Sequence, residues 1–155
     1  SSAVVEAVGK SRRVVDLFAG CGTFSLPLAQ TMDVHAVEGE GDLLAAFDKG
    51  WRMADGLHRV STERRDLFRR PLEPDELNRF DAAVIDPPRA GAEAQIATIA
   101  NSALGRVAMV SCNPVTFARD AETLIGAGFE IRWLDVVDQF RWSAHVELVA
   151  LFTRS

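Results

Sequence analysis

The chain has 155 residues, and its 22 acidic against 17 basic side chains give a formal net charge of −5. That length suits one domain, which at about 150 residues buries roughly 70 % of its unfolded surface without staples. With 48 % hydrophobic residues, the composition excludes a disordered or collagen-like chain, and no apolar run reaches the ~18 residues of a membrane span. The opening Ser1-Ser2-Ala3 lacks a basic segment followed by an apolar one, so no signal peptide is expected. A start without Met points to a fragment or a processed chain. Cys21 and Cys112 are far apart and form neither a disulfide framework nor a zinc pattern, which favours a reducing, cytoplasmic setting. His35, His58 and His145 have no ligand spacing, so no metal is expected. Apart from Lys10 and Lys49 the basic residues are arginines, which suit bidentate phosphate contact. The acidic balance nevertheless argues against strong non-specific binding to nucleic acid.

In chain order, the pattern predicts a strand at 13–18, a helix at 23–31, a strand at 34–38 and a helix at 42–56. A strand at 59–63, a short helix at 73–78, a strand at 82–86 and a helix at 93–104 follow. The chain ends with a strand at 106–111, a helix at 114–127 and strands at 130–137 and 146–153. Strands alternating with helices give an α/β fold with a mostly parallel sheet. The link at 138–145 is too short for a parallel crossover, so the last two strands form an antiparallel hairpin. Polar side chains collect at successive strand ends: Asp16, Glu38, Asp66, Asp86 and Cys112. Open α/β sheets bind ligands there.

The run Asp16-Leu17-Phe18-Ala19-Gly20-Cys21-Gly22-Thr23-Phe24 leaves a strand and opens a helix, where a glycine-rich turn is informative. Gly20 and Gly22 permit tight torsions and close approach of a ligand; a plain strand-to-helix turn would need them too. Ser25 stands where a dinucleotide fingerprint has its third glycine, which disfavours a pyrophosphate. Glu38 follows Asp16 by 22 residues, the spacing of an acid that accepts both hydroxyls of a ribose. Asp66 has the position to accept from an adenine amino group, or to cap its own turn. Cys21, inside the turn, reads as structural. In Asp86-Pro87-Pro88-Arg89 the prolines hold Asp86 in a rigid extended loop. In Ser111-Cys112-Asn113-Pro114 Asn is a helix N-cap and Pro the first helical residue. Cys112 then precedes a helix N-terminus, which favours thiolate and a nucleophilic role. His145 and Glu147 share a face of the closing strand, where a partly buried Glu suits a general base or an ion pair with an Arg. The group Arg64, Arg65, Arg69 and Arg70 reads as a solvated surface, with phosphate contact as the alternative.

The order of elements resembles the S-adenosylmethionine-dependent methyltransferases, a seven-stranded Rossmann-like fold. The motifs at 16–29, 86–92 and 111–120, with Asp138, Phe140, His145, Val146 and Glu147, together resemble the RNA uracil-5-methyltransferase family, which forms 5-methyluridine. The resemblance implies S-adenosylmethionine contacts at Phe18, Thr23, Glu38, Asp66 and Asp86, with Asp16, Gly20 and Gly22 in the same site. It implies Cys112 as nucleophile, Glu147 as base, and Asp86, Arg89 and His145 near the base of a ribosomal or transfer RNA. Related amino-methyltransferases carry an aromatic residue at position 89 and cytosine-5 enzymes a cysteine in that region, so Arg89 favours uracil. Arg141 departs from the proline usual after Phe140. The family's Phe-x-Gln-x-Asn segment and its β-barrel module lie outside this sequence, so a single catalytic domain of weak activity by itself is expected. No oligomer is indicated. The alternatives are methyl transfer to another acceptor, such as an adenine amine or a small molecule, and a non-catalytic cofactor-binding fragment.

Overall fold

The computed structural model describes residues 2–138 and 146–155. Expectations for Phe140, Arg141 and His145 lie outside the described residues. In chain order the elements are α1 (Ser2–Val8), β1 (Arg13–Leu17), α2 (Ser25–Leu28), β2 (Asp33–Glu38), α3 (Gly41–Met53) and β3 (Val60–Arg64). They continue with α4 (Pro74–Leu77), β4 (Ala82–Ile85), α5 (Glu93–Ala100), β5 (Arg106–Ser111), α6 (Pro114–Gly126), β6 (Glu130–Asp138) and β7 (Val146–Thr153). The strands form one sheet in the order β3-β2-β1-β4-β5-β7-β6. The pairs β1–β2, β1–β4, β2–β3 and β4–β5 are parallel, whereas β7 is antiparallel to both β5 and β6. The expected α/β class, seven strands and closing antiparallel hairpin are all present.

Burial on both faces explains the near-continuous apolar runs of the central strands. β4 is buried at every position. On one face Val14, Val34, Val84 and Val110 pack with Val4 and Val8 of α1 and Leu28 of α2. On the other, Val15, Leu17, Ile85 and Met109 pack with Ile96 and Ile99 of α5 and Leu124 of α6. The sequence pattern did not mark α1, whose buried Val4, Ala7 and Val8 make it part of the core.

The helix expected at 23–31 contracts to Ser25–Leu28, because the glycine turn continues through Phe24. The helix expected at 93–104 stops at Ala100, ahead of a turn in which Ser102 Oγ donates to the Ile99 carbonyl at 2.7 Å. The strand order reverses between the parallel neighbours β1 and β4, so the crevice outside their carboxyl ends is the natural ligand position.

Candidate active site

A cleft of about 530 Å³ opens at that crevice, lined by Phe18, Gly20, Glu38, Gly39, Glu40, Leu43, Asp66, Leu67, Phe68, Asp86, Pro87 and Pro88. Its volume is that of a small-molecule site. Four of these side chains are carboxylates and none is cationic. Such a lining repels a pyrophosphate and suits a ligand that brings hydroxyl, ammonium or sulfonium groups.

The glycine turn forms one wall. Phe18 takes a left-handed backbone conformation (φ 62°), rare for a bulky residue and a mark of a strained functional position. Its ring meets that of Phe68 at 5.3 Å. Gly20 is also left-handed, and a side chain there would meet nothing within 4 Å; its free side is the cleft. Glu38, 8 % exposed, accepts the Gly20 amide at 2.9 Å and the Glu40 amide at 2.8 Å, one on each carboxylate oxygen. A carboxylate has about four acceptor positions, so capacity for two more donors, such as a diol, remains.

Asp66 caps its own turn. One oxygen accepts from the amides of Phe68 and Arg69, at 3.0 and 3.4 Å, while the residue lines the cleft. Phe68, Glu40 and Leu43 were not anticipated. Phe68 lies two residues from Asp66 and Glu40 two from Glu38, so the signal was proximity to an expected contact.

Three expected cofactor residues do not line this cleft. Asp16 is wholly buried beneath the turn, where the Ser25 hydroxyl donates to it at 2.5 Å and its other oxygen has no partner. Burial pushes its carboxyl up to about 7 against the lowering effect of the Ser25 bond, and repulsion from Asp86 and Glu38 adds to the rise. Gly22 is buried because a side chain there would run into the Phe47 ring of α3; helix packing, not ligand approach, requires this glycine. Thr23 is exposed, with its hydroxyl 3.9 Å from the Cys21 sulfur.

The arginine group also departs from expectation. Arg65 is held by Glu63 at 3.1 Å and Glu76 at 2.9 Å, and donates to the carbonyls of Arg70 and Pro71. It fastens the segment after β3 and is not a solvated cation. Arg69 is exposed, as expected.

The loop after β4 forms the opposite wall with Asp86, Pro87 and Pro88. Asp86, half-buried, leaves β4 with its amide on the Leu17 carbonyl at 3.3 Å. Burial first, and the negative charge of Glu147 second, push its carboxyl up to about 7. Cys112 is exposed between β5 and α6. Asn113 caps α6, its side chain accepting the Val115 amide at 3.0 Å, and Pro114 is the first helical residue, both as expected. Ser111 of β5 pairs with Leu148 of β7. Cys112 is the next residue after that pair on one chain segment and Glu147 the residue before it on the other. Arg89 is exposed and presents its carbonyl to Asn113 at 2.9 Å.

The sequence profile of the tRNA (uracil-5-)-methyltransferases matches residues 52–155. The chain belongs to that family. Among its relatives is an uncharacterized RNA methyltransferase from Mesorhizobium japonicum, 55 % identical across 98 % of this chain and 38 % of the relative. Another is the 23S rRNA (uracil(1939)-C(5))-methyltransferase of Acinetobacter baylyi, 41 % identical across 94 % of this chain and 32 % of that protein. The solved tRNA (uracil-54, C5)-methyltransferase of Pyrococcus abyssi, in complex with S-adenosyl-L-homocysteine, superposes with a TM-score of 0.84 at 27 % identity. That match covers 98 % of this chain and 36 % of the Pyrococcus chain. The chain thus spans about a third of the length of these relatives. Among the described residues no helix is long and apolar enough to cross a membrane.

Proposed function

We propose that residues 1–155 form the catalytic domain of an RNA uracil-5-methyltransferase that transfers a methyl group from S-adenosylmethionine to C5 of a uridine. The observation that supports this reading is the pairing of Ser111 with Leu148, the neighbours of Cys112 and Glu147, on the strand next to the one that delivers Asp86 to a carboxylate-lined cleft. Bound S-adenosylmethionine supplies an electrophilic methyl group on a sulfonium centre. Glu38 suits its ribose diol, Asp66 its adenine amine, and the negative cleft its cationic end. Thr23, Gly22 and Asp16 act at one remove, through the shape of the turn.

C5 of uracil is a poor nucleophile. The Cys112 thiolate adds to C6, and the ring electrons move to C5 as an enolate. Once C5 carries the methyl group, Glu147 takes the C5 proton. The electron pair of that C–H bond restores the C5–C6 double bond, and Cys112 leaves as thiolate. Asp86, protonated near neutrality, has the capacity to donate to or accept from the base, and Arg89 and His145 are assigned to the RNA side. The uridine must leave its stack to reach Cys112.

Ribosomal RNA is the favoured substrate and transfer RNA the second. Identity is 41 % to the Acinetobacter rRNA enzyme and 27 % to the Pyrococcus tRNA enzyme. RNA carrying 5-fluorouridine tests the mechanism, because fluorine at C5 cannot leave as a proton and the adduct persists. The full-length protein should form an adduct that resists denaturation and maps to Cys112, and Cys112→Ala should abolish both adduct and methylation. Methylation that survives Cys112→Ala would favour another acceptor.

A further inference from the structure

α6 and the loop that follows β4 are tied by a row of bonds in which no sequence motif placed a function. The Arg89 carbonyl accepts from Asn113 Nδ2 at 2.9 Å and from the Thr116 hydroxyl at 3.0 Å. One turn further along α6, Arg119 Nη2 donates to the Ala90 carbonyl at 3.1 Å. Asp120 accepts the Ala92 amide on one oxygen at 3.0 Å, and Arg119 Nε on the other at 3.2 Å. Residues 116, 119 and 120 share one helix face, and they meet every peptide from Arg89 to Ala92. Space is tight at the centre of the contact. A side chain added at Gly91 would stand 2.9 Å from Asp120 Oδ2 and 3.0 Å from Thr116 Cβ.

Asp120 is 2 % exposed. A buried carboxylate costs free energy unless it is hydrogen-bonded, and both of its oxygens are. Its distance along the chain is telling: Asp120 lies 28 residues from Ala92, but only eight from Cys112, which stands just ahead of the same helix. The loop it grips begins at Asp86. Asp86 and Cys112 enter the site from different strands, β4 and β5, and their separation depends on how the Asp-Pro-Pro-Arg loop lies on α6.

We infer that Asp120, with Thr116 and Arg119, is a positioning residue that locks the loop of Asp86 to the helix of Cys112, so that the two reach the target base as one rigid unit. This rests on the reading of Cys112 and Asp86 given above. Loss of the lock leaves Gly20, Glu38 and Asp66 in place, because they belong to other elements, and shifts only the side of the cleft formed by Asp86, Pro87 and Pro88. It displaces the two walls of the base pocket relative to each other, and about 1 Å of misplacement costs on the order of 100-fold in rate.

The test uses the full-length protein with Asp120→Ala, Asp120→Asn and Thr116→Val. Three quantities are measured: hydrogen exchange of the Ala92 amide, affinity for S-adenosylhomocysteine, and the rate of adduct formation at saturating 5-fluorouridine RNA. In Asp120→Ala the Ala92 amide should exchange at least about tenfold faster, and adduct formation should slow by about 10- to 100-fold. S-adenosylhomocysteine affinity should fall by much less than the rate, because Gly20, Glu38 and Asp66 keep their places. Asp120→Asn keeps an acceptor for Ala92 and should recover most of the rate. Thr116→Val removes one bond on Arg89 and should slow the adduct by about threefold, which keeps the test open if Asp120→Ala does not fold. An unchanged adduct rate in both Asp120→Ala and Thr116→Val overturns the inference, as does a parallel loss of cofactor affinity. If the wild-type protein traps no RNA, the proposed function fails by itself. The exchange of Ala92 then still decides the lock, and an unaltered rate rejects it.

Discussion

Glu38 ties the glycine turn to the end of β2 by accepting the Gly20 amide at 2.9 Å. Because its second oxygen holds the Glu40 amide at 2.8 Å, one side chain orders two walls of the cleft and still faces the ligand space. Glu38→Gln keeps the size and one oxygen, but turns an NH₂ group towards one of these two amides. A charged hydrogen bond is worth about 1.5–3 kcal/mol. Titration calorimetry should show S-adenosylhomocysteine affinity falling by about 10- to 100-fold. Unchanged affinity would remove Glu38 from the site.

The carboxyl of Asp16 lies near 7 in the fold, well above its unfolded range. A raised acid favours the folded state while it is protonated. That contribution is complete below about pH 4, and it is lost as pH rises through about 7. Asp16→Asn mimics the protonated form and cannot ionise. In urea titrations it should match the wild type below about pH 4 and exceed it by a margin that grows up to about pH 7 and then stays constant. A constant difference across that range would contradict the assignment.

Glu147 raises Asp86 by its negative charge, second to the effect of burial. Glu147→Gln removes the charge and keeps the shape. The Asp86 carboxyl should then titrate below its wild-type value of about 7, but still above an exposed aspartate, since burial remains. Carbon-detected NMR of the aspartate carboxyls reads this directly. An unshifted Asp86 would mean that the two groups do not share a field.

The two glycines of the turn should respond differently. Gly22→Ala meets the Phe47 ring and takes a left-handed backbone (φ 95°). A loss of about 2–4 kcal/mol in unfolding free energy is expected from overpacking and backbone strain together. Gly20→Ala meets no atom within 4 Å and should cost only about 1 kcal/mol in stability, while weakening S-adenosylhomocysteine because its methyl group enters the cleft. Equal stability losses for both would refute this division.

The sheet was readable because β-branched runs bounded by turn residues fall at regular spacing, and the 138–145 link forces the hairpin. Asn113 and Pro114 were readable for the same local reason: caps are written within three residues. Asp16 and Gly22 were assigned to the cofactor because motif spacing marks a turn without saying which side of it faces the ligand. Only the packing of Phe47 and Ser25 decides that. Arg65 was out of reach as well. Its partner Glu76 is 11 residues away on another element, and nothing in the local sequence distinguishes Arg65 from the exposed Arg69. The α1 helix carried too few residues for a periodic signal, and its identity as core comes wholly from the sheet it covers.

In the sheet, β7 is the neighbour that joins β6 to the rest, and it enters between β5 and β6, which are both made before it. A growing chain therefore holds Cys112 for the time it takes to synthesise more than 30 further residues before Glu147 is made. The strand ends next to these two residues come together only when β7 pairs with β5. On the function proposed above, approach of nucleophile and base and completion of the sheet are one event, so a chain that stops short in translation keeps an open sheet edge and a Cys112 without its base.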